Sequence, residues 1–315
     1  MESGGGIRQD GVEAALSFPP ALMVLCDRLS ERFPYFAKVV DKRIANFGDA
    51  WVRDFELELE TFFAGDVDAL RKATDGYGVF ALDAMKLQKK FDKARQYIPQ
   101  RYADVASQVY HSREYMFDLY LPGILLSQFL WHHHYLQLLF FRERFISRAA
   151  AILARTFYDV GVGTGFYSKE MLRGVSGAWG TGCDISEHSL DHTGRLIQQW
   201  GYQDRYQVRQ GDILERLPAP ADCIISVEVL EHLEDPPAFL AGLHRMLRVG
   251  GVGYITAAIN APNADHIYLY TTLADVASEI EGAGFTILDS AEYCGYVPRP
   301  GESVPSGGVF VVSRE

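Results

Sequence analysis

Apolar positions in the first half of the chain recur at helical spacing. Val52, Phe55, Leu59 and Phe62 fall at steps of three and four, as do Phe80, Ala84, Leu87 and Phe91, so each series lays one apolar stripe along a helix. Gly65-Asp66 and Asp75-Gly76 are predicted to break these helices, Pro99 to close another, and Pro122-Gly123 to open or kink a long aromatic helix ending near Ser147. From about Ala151 the pattern changes. Short β-branched or apolar runs alternate with helical stretches, which predicts βαβ units and a parallel sheet. Strands are predicted near Thr156–Val160, Ala178–Asp184, Tyr206–Gln210, Asp222–Val227, Gly251–Ala257, Phe285–Tyr293 and Gly308–Ser313. A loop rich in Pro and Gly separates the last two, leaving no room for a crossover helix, so they are expected to form an antiparallel hairpin at a sheet edge. The fold class is therefore α/β, a doubly wound seven-stranded sheet in residues 151–315, preceded by an all-helical domain in residues 16–150 and a flexible, Gly-rich terminus in residues 1–15.

Composition narrows the function classes. Apolar residues make up 48% and charged residues 23% of 315, which excludes wholesale disorder and a disulfide-built miniprotein. Thirty Lys and Arg against forty-one Asp and Glu leave a net charge of −11 with no segregated basic patch, so no nucleic-acid partner is expected. Cys26, Cys183, Cys223 and Cys294 show neither zinc spacing nor a disulfide framework, and the first ten residues lack the pattern of a secretory signal, so a cytoplasmic location is expected. Leu119 to Phe141 is long enough to cross a bilayer but carries Pro122, Gln128, Gln137 and three histidines. It reads as a buried helix, and no membrane partner is expected.

The chemistry lies in the sheet half. Phe157 to Gly165 is a strand running into a glycine turn, followed by a helix whose N-terminus offers unsatisfied N–H groups to a ligand. A dinucleotide fingerprint would need a third glycine where Phe166 or Ser168 stands, which argues against NAD. The window instead resembles the first motif of class I S-adenosylmethionine-dependent methyltransferases, an acidic residue followed by spaced glycines, on Asp159, Gly161, Gly163 and Gly165. Asp184, nineteen residues on, resembles the carboxylate of the second motif that accepts the ribose hydroxyls, with Ile185 beside it. Gly211-Asp212-Ile213 resembles the third motif, in which the Asp takes the adenine amino group. Val227-Glu228 and the Val229-Leu230-Glu231-His232-Leu233 run that follows resemble the fourth, and Leu247 to Gly251 the fifth. The rival reading, turn and cap residues only, has to explain five coincidences of order and spacing.

The resemblance covers residues 151–315 and implies a Rossmann-like sheet, S-adenosylmethionine as methyl donor and S-adenosylhomocysteine as product. Within the family the wording is similar to small-molecule enzymes, so the acceptor is expected to be a small organic molecule of specialised metabolism, methylated on O, N or C. A protein or RNA methyltransferase, and a non-catalytic cofactor-binding module, stay open as alternatives. Asp235-Pro236-Pro237 imitates an amino-methylating DNA motif, but Ala238 stands where an aromatic belongs, and the plainer reading is a helix start.

Acceptor-side candidates follow the fourth and fifth strands, at the edge where ligands sit in such folds. His232 is the first choice for general base, since an unperturbed imidazole titrates near neutrality, with His266 second and Glu231 alongside; a cap or packing role for His232 stays open. Tyr115, Asn260, Asn263 and Tyr268 are the substrate-binding candidates. His232 and His266 with a carboxylate could hold a metal, but residues so far apart carry no ligand spacing, and no metal ligand is assigned from the sequence. His132-His133-His134 cannot converge on one ion from consecutive helical positions, so at most one is expected to face the site. Of Tyr110, His111, Tyr115, Tyr120, Trp131 and Tyr135, two or three are expected to line the pocket, and the helical domain is assigned as substrate lid and homodimer surface.

Overall fold

A computed structural model describes residues 19–97, 101, 103, 109–110, 112–215, 217–298 and 304–315. The expectations for residues 1–15, Pro99 and His111 lie outside the described residues. The helical half opens with α1 (Pro20–Arg32), α2 (Pro34–Phe63) and α3 (Val67–Ala94). Gly65 breaks the chain as expected: Ala64 and Gly65 both take positive φ, and the Asp66 carboxylate then caps α3 by accepting from the Ala69 N–H at 2.9 Å. Asp75-Gly76 does not break it. α3 runs straight through, because a Cβ on Gly76 would lie 2.3 Å from the Asp118 carbonyl oxygen; the glycine lets two backbones meet.

The long aromatic helix is two helices, α4 (Leu121–Leu130) and α5 (His132–Phe140), with Pro122 in the first turn of α4. They meet at an elbow where Trp131 is extended, with φ −90° and ψ 131°. The carbonyls freed there find donors on α2: Arg43 Nε donates to Leu130 O at 3.0 Å and Trp51 Nε1 to Phe129 O at 2.9 Å.

The sheet half holds β1 (Thr156–Val160), β2 (Trp179–Asp184), β3 (Tyr206–Gln210), β4 (Ala221–Ser226), β5 (Leu247–Ile259), β6 (Thr286–Cys294) and β7 (Ser306–Ser313), each close to its predicted place. Their order is β3-β2-β1-β4-β5-β7-β6. The first five are parallel, β7 lies antiparallel between β5 and β6, and β6 forms the edge, so the expected hairpin is present. Helices α6 (Phe166–Gly174), α7 (Glu187–Gln199), α8 (Pro236–Met246) and α9 (Leu273–Gly282) complete the crossovers.

Period-two alternation sorts the strands between two cores. Ile224, Ile255, Phe310 and Val312 face α8 and α9, whereas Cys223, Ile225, Val309 and Val311 share one core with Trp51, Phe55, Phe129 and Phe141 of the helical half. A buried ion network reinforces the shared face. Lys169 on α6 pairs with Glu58 of α2 and with Glu170, and Arg142 bridges Glu170 to Asp54. Among the described residues no helix is long and apolar enough to cross a membrane.

Candidate functional site

A cavity of about 630 Å³ lies at the carboxyl edge of the parallel strands, roofed by the helical half. At one end β1 delivers the glycine turn. Gly161, Gly163 and Gly165 have φ of 71°, 54° and 78°, a region that L side chains avoid. A Cβ at Gly161 would meet Val229 Cγ2 at 2.5 Å and one at Gly165 would meet Thr193 Cγ2 at 2.8 Å, so these two are fixed by packing. Gly163 differs: the nearest atom to a Cβ there is 3.9 Å away, so the space beside it is open to a ligand.

Asp184, at the end of β2, crosses to that turn. Its Oδ2 accepts from the Gly163 N–H at 3.0 Å and its Oδ1 from the Ser186 N–H at 2.9 Å. Burial raises its pKa, and those N–H groups oppose the rise. A carboxylate has about four acceptor sites, so two such bonds leave capacity for a ligand's hydroxyls. Asp159 is 3% exposed and accepts from Ser168 Oγ at 2.7 Å; burial pushes it up to about 7, with the charge of Asp184 adding to the rise. Ile185, Gly211, Asp212, Ile213, Val227 and Glu228 also line the cavity, whereas Gly165 supports the turn from behind. Of the residues expected on the cofactor side, all but Gly165 line the cavity.

His232, His266 and Asn263 line the same cavity. His232 Nδ1 lies 3.0 Å from the Asp265 carbonyl oxygen, 3.2 Å from the Tyr110 hydroxyl and 3.4 Å from Asp265 Oδ2, which accepts from Tyr120 at 2.5 Å and Tyr110 at 3.1 Å. Burial raises the pKa of Asp265, but His232, His266 and the two tyrosines outweigh it and hold the group below the usual carboxylate range. His266 Nδ1 donates to the Ala261 carbonyl at 2.6 Å, and burial drives its ring down to about 3, so it is neutral. Glu231 sits beneath them, 0% exposed. Burial, with the charge of Glu228, pushes its carboxyl well above the usual range.

Three substrate-binding candidates are not brought to the cavity. The Tyr268 hydroxyl donates to Glu279 at 2.8 Å, Asn260 Nδ2 donates to the Thr271 carbonyl at 2.8 Å, and Tyr115 borders a separate shallow depression beside Lys72 and Asp118. Tyr268 and Asn260 lie close in sequence to lining residues but satisfy their polar groups elsewhere. Tyr110, Tyr120 and Trp131 do line the site, in keeping with the two or three expected. Both His133 and His134 face it, not one, because the elbow at Trp131 turns the end of α5, rather than a single side, toward the cavity. Their rings lie 4.4 Å apart, and burial lowers both pKa values, His134 to about 3. Sequence reasoning missed Phe80, Ser127 and Gln128, whose only signal was membership in apolar helices. Asp235 is the cap of α8, accepting from the Ala238 N–H at 3.0 Å, as the plainer reading held.

Comparison with known proteins agrees with this geometry. Residues 158–252 match the family profile of a methyltransferase domain. The ubiquinone biosynthesis O-methyltransferase of Pseudomonas paraeruginosa is 29% identical over 134 residues, 42% of this chain and 55% of that protein. That of Pseudomonas syringae pv. tomato is also 29% identical, over 133 residues, with the same coverage. The chain thus spans about half the length of the curated relatives it matches. In overall fold it is similar to the mitomycin 7-O-methyltransferase MmcR, with a TM-score of 0.52 at 12% identity, covering 78% of this chain and 72% of that one. An O-methyltransferase family protein from Burkholderia thailandensis gives a TM-score of 0.52 at 14% identity over 78% and 71% of the two chains.

Proposed function

We propose that the sheet half of this chain is a class I S-adenosylmethionine-dependent methyltransferase domain, and that the protein moves a methyl group from S-adenosylmethionine to a small organic acceptor held under the helical half. The observation that carries the reading is one continuous cavity joining the glycine turn and Asp184 to His232 and His266. S-adenosylmethionine supplies a methyl carbon made electrophilic by its sulfonium. Everything else falls to the chain's own residues.

Open space beside Gly163 lets the donor approach the backbone, and Asp184, held by two N–H groups, faces it with spare acceptor sites for ribose hydroxyls. Asp212 is the proposed partner of the adenine amino group. In-line displacement depends chiefly on holding the acceptor atom in attack geometry, and Phe80, Tyr110, Tyr120 and Trp131 confine it from above. The acceptor's reacting atom belongs beside His232 and His266. For a proton-bearing acceptor, His232 is the group placed to take the proton, its ring oriented by Asp265. The aromatic roof favours a small acceptor over a protein or RNA segment. Service of the helical half as a lid, and any pairing of two copies through it, belong to the same proposal.

The test is calorimetric titration with S-adenosylhomocysteine, NAD serving as control. Micromolar binding of the former alone is expected. Asp184→Ala should weaken it by ~1 to 3 kcal/mol, about 5- to 150-fold, the scale of losing charge-assisted hydrogen bonds. Unchanged affinity would remove Asp184 from the site.

A further inference from the structure

We propose that Gln128 and His134, on the two sides of the elbow at Trp131, form a specificity subsite for an uncharged group of the acceptor that offers two protons, an NH₂ or a pair of neighbouring hydroxyls. The acceptor class implied is an uncharged planar molecule carrying that group away from its reacting atom. Gln128 is 6% exposed, yet its Oε1 has no partner among the described residues, and buried amides seldom stay unpaired without a ligand to take up the bond. It lines the cavity, as do Ser127 and His134.

Hydrogen bonding sets His134 to present a second acceptor. Ser127 Oγ lies 2.8 Å from the Ile124 carbonyl oxygen and 2.9 Å from His134 Nδ1. A carbonyl only accepts, so the one Ser127 proton goes to Ile124 and Nδ1 must donate to the hydroxyl oxygen. Nε2 therefore carries the lone pair, and it makes no hydrogen bond among the described residues. Burial, which lowers this ring to about 3, keeps it neutral. An amide oxygen and an imidazole nitrogen, one from each side of the elbow, are thus both open to a donor.

Charge and shape of the walls supply the rest of the acceptor class. No Lys or Arg is among the described lining residues, whereas six Asp and Glu are, so a carboxylate or phosphate would be desolvated there without a counter-charge. Lining residues from the helical half carry no charge of either sign, His133 and His134 being neutral, so the part of the acceptor that reaches them is uncharged too. Contacting rings lead from His232 to the subsite. The Tyr110 hydroxyl lies 3.2 Å from His232 Nδ1, and ring centroids then follow at 6.2 Å to Tyr120, 6.2 Å to Phe80, 5.6 Å to Trp131 and 4.9 Å to His134. Gly123 seats Phe80 in that run, since a Cβ there would lie 2.5 Å from Phe80 Cγ. A planar acceptor laid along these rings brings one polar group to His232 and another to Gln128 and His134. This inference rests on the reading that the reacting atom sits beside His232.

The full-length protein, with and without saturating S-adenosylhomocysteine, is titrated calorimetrically at neutral pH with three probes: a naphthol bearing an amino group at its opposite end, the plain naphthol, and the naphthol with a carboxylate in place of the amine. The same three groups on a longer biphenyl frame form a second set. On the better frame the amino probe is expected to bind at least about 10-fold more tightly than the plain one, the scale of two net hydrogen bonds, and the carboxylate more weakly than either. Gln128→Met and His134→Phe, which keep chain length and ring, should each cut the amino preference at least about threefold and together erase it. Affinities for the plain probe and for S-adenosylhomocysteine should stay within about twofold, whereas a merely structural role would weaken all probes alike. Gln128→Met breaks no hydrogen bond among the described residues, so it keeps the test open if His134→Phe does not fold. Equal binding of the amino and plain probes, tightest binding of the carboxylate, full preference in folded Gln128→Met, or no binding of any probe overturns the subsite. Failure to bind S-adenosylhomocysteine with the amino preference intact would sink the methyltransferase reading and leave the subsite standing.

Discussion

Replacing Asp159 by Asn removes a buried ionisable group without removing its hydrogen bond, since the amide oxygen can still accept from Ser168 Oγ. In the folded wild type burial lifts this carboxyl from 3.8 to about 7, whereas in the unfolded chain it titrates near its ordinary value. Between those two pH values the native state holds a proton that the unfolded state has lost. Stability due to this group is therefore fully present below pH 3.8 and is lost as pH rises through about 7, after which it stays flat. Each pH unit is worth about 1.4 kcal/mol, so the whole span amounts to about 4 kcal/mol. Urea denaturation of wild type and Asp159→Asn at half-unit steps from pH 5 to 8.5 isolates the effect from other titrating groups, which are common to both. The stability difference should move in favour of the variant by about 1.4 kcal/mol per pH unit up to pH 7, then become constant. Parallel stability curves would mean that Asp159 is ionised throughout and that burial does not govern it.

Other substitutions probe the remaining parts. Gly161→Ala should destabilise the protein by about 2–5 kcal/mol, combining a left-handed backbone with the 2.5 Å approach to Val229, and denaturation showing a loss below about 1 kcal/mol would remove the packing argument. Lys169→Met leaves Glu58 without its cation and should lower denaturation stability by about 3–5 kcal/mol; near-neutral behaviour would make the pair dispensable. Tyr115→Phe and Tyr268→Phe should leave S-adenosylhomocysteine affinity and turnover within about twofold of wild type, because neither hydroxyl reaches the cavity, and a larger loss in either would return it to the site.

The sheet was legible because its strands are short β-branched runs bounded by turns, and local composition decides such elements. The glycine-turn side of the cavity was legible for the same reason, its residues being strand ends and the turns after them. The helical half was legible as helices but not as shape. Gly76 reads as a breaker locally, and only the Asp118 backbone passing 2.3 Å from where its Cβ would stand explains a glycine inside α3. The elbow at Trp131 has no Gly or Pro to announce it. Its freed carbonyls are satisfied by Arg43 and Trp51, roughly eighty to ninety positions earlier in the chain, so the cause is tertiary. That elbow brings His133 and His134 to the cavity together, which explains why helical periodicity undercounted them. Beside His232 and His266, adjacency in sequence misled for Asn260 and Tyr268, whose polar groups bond outward to the loop before α9 and to α9 itself.

The shared core has a consequence for how such a protein can change. Trp51, Phe129 and Phe141 bury themselves against the same face as Ile225 and Val311, and Lys169 is neutralised from across the junction. Neither half presents a finished surface to the other, so the two cannot be exchanged like cassettes between relatives; a chimera joined near residue 151 would expose mismatched apolar faces and an unpaired buried ammonium. Changes in what the cavity can hold must then arise by single substitutions among lining residues of the helical half such as Phe80, Ser127 and Gln128, while recombination between lineages stays confined to grafts that carry both halves together.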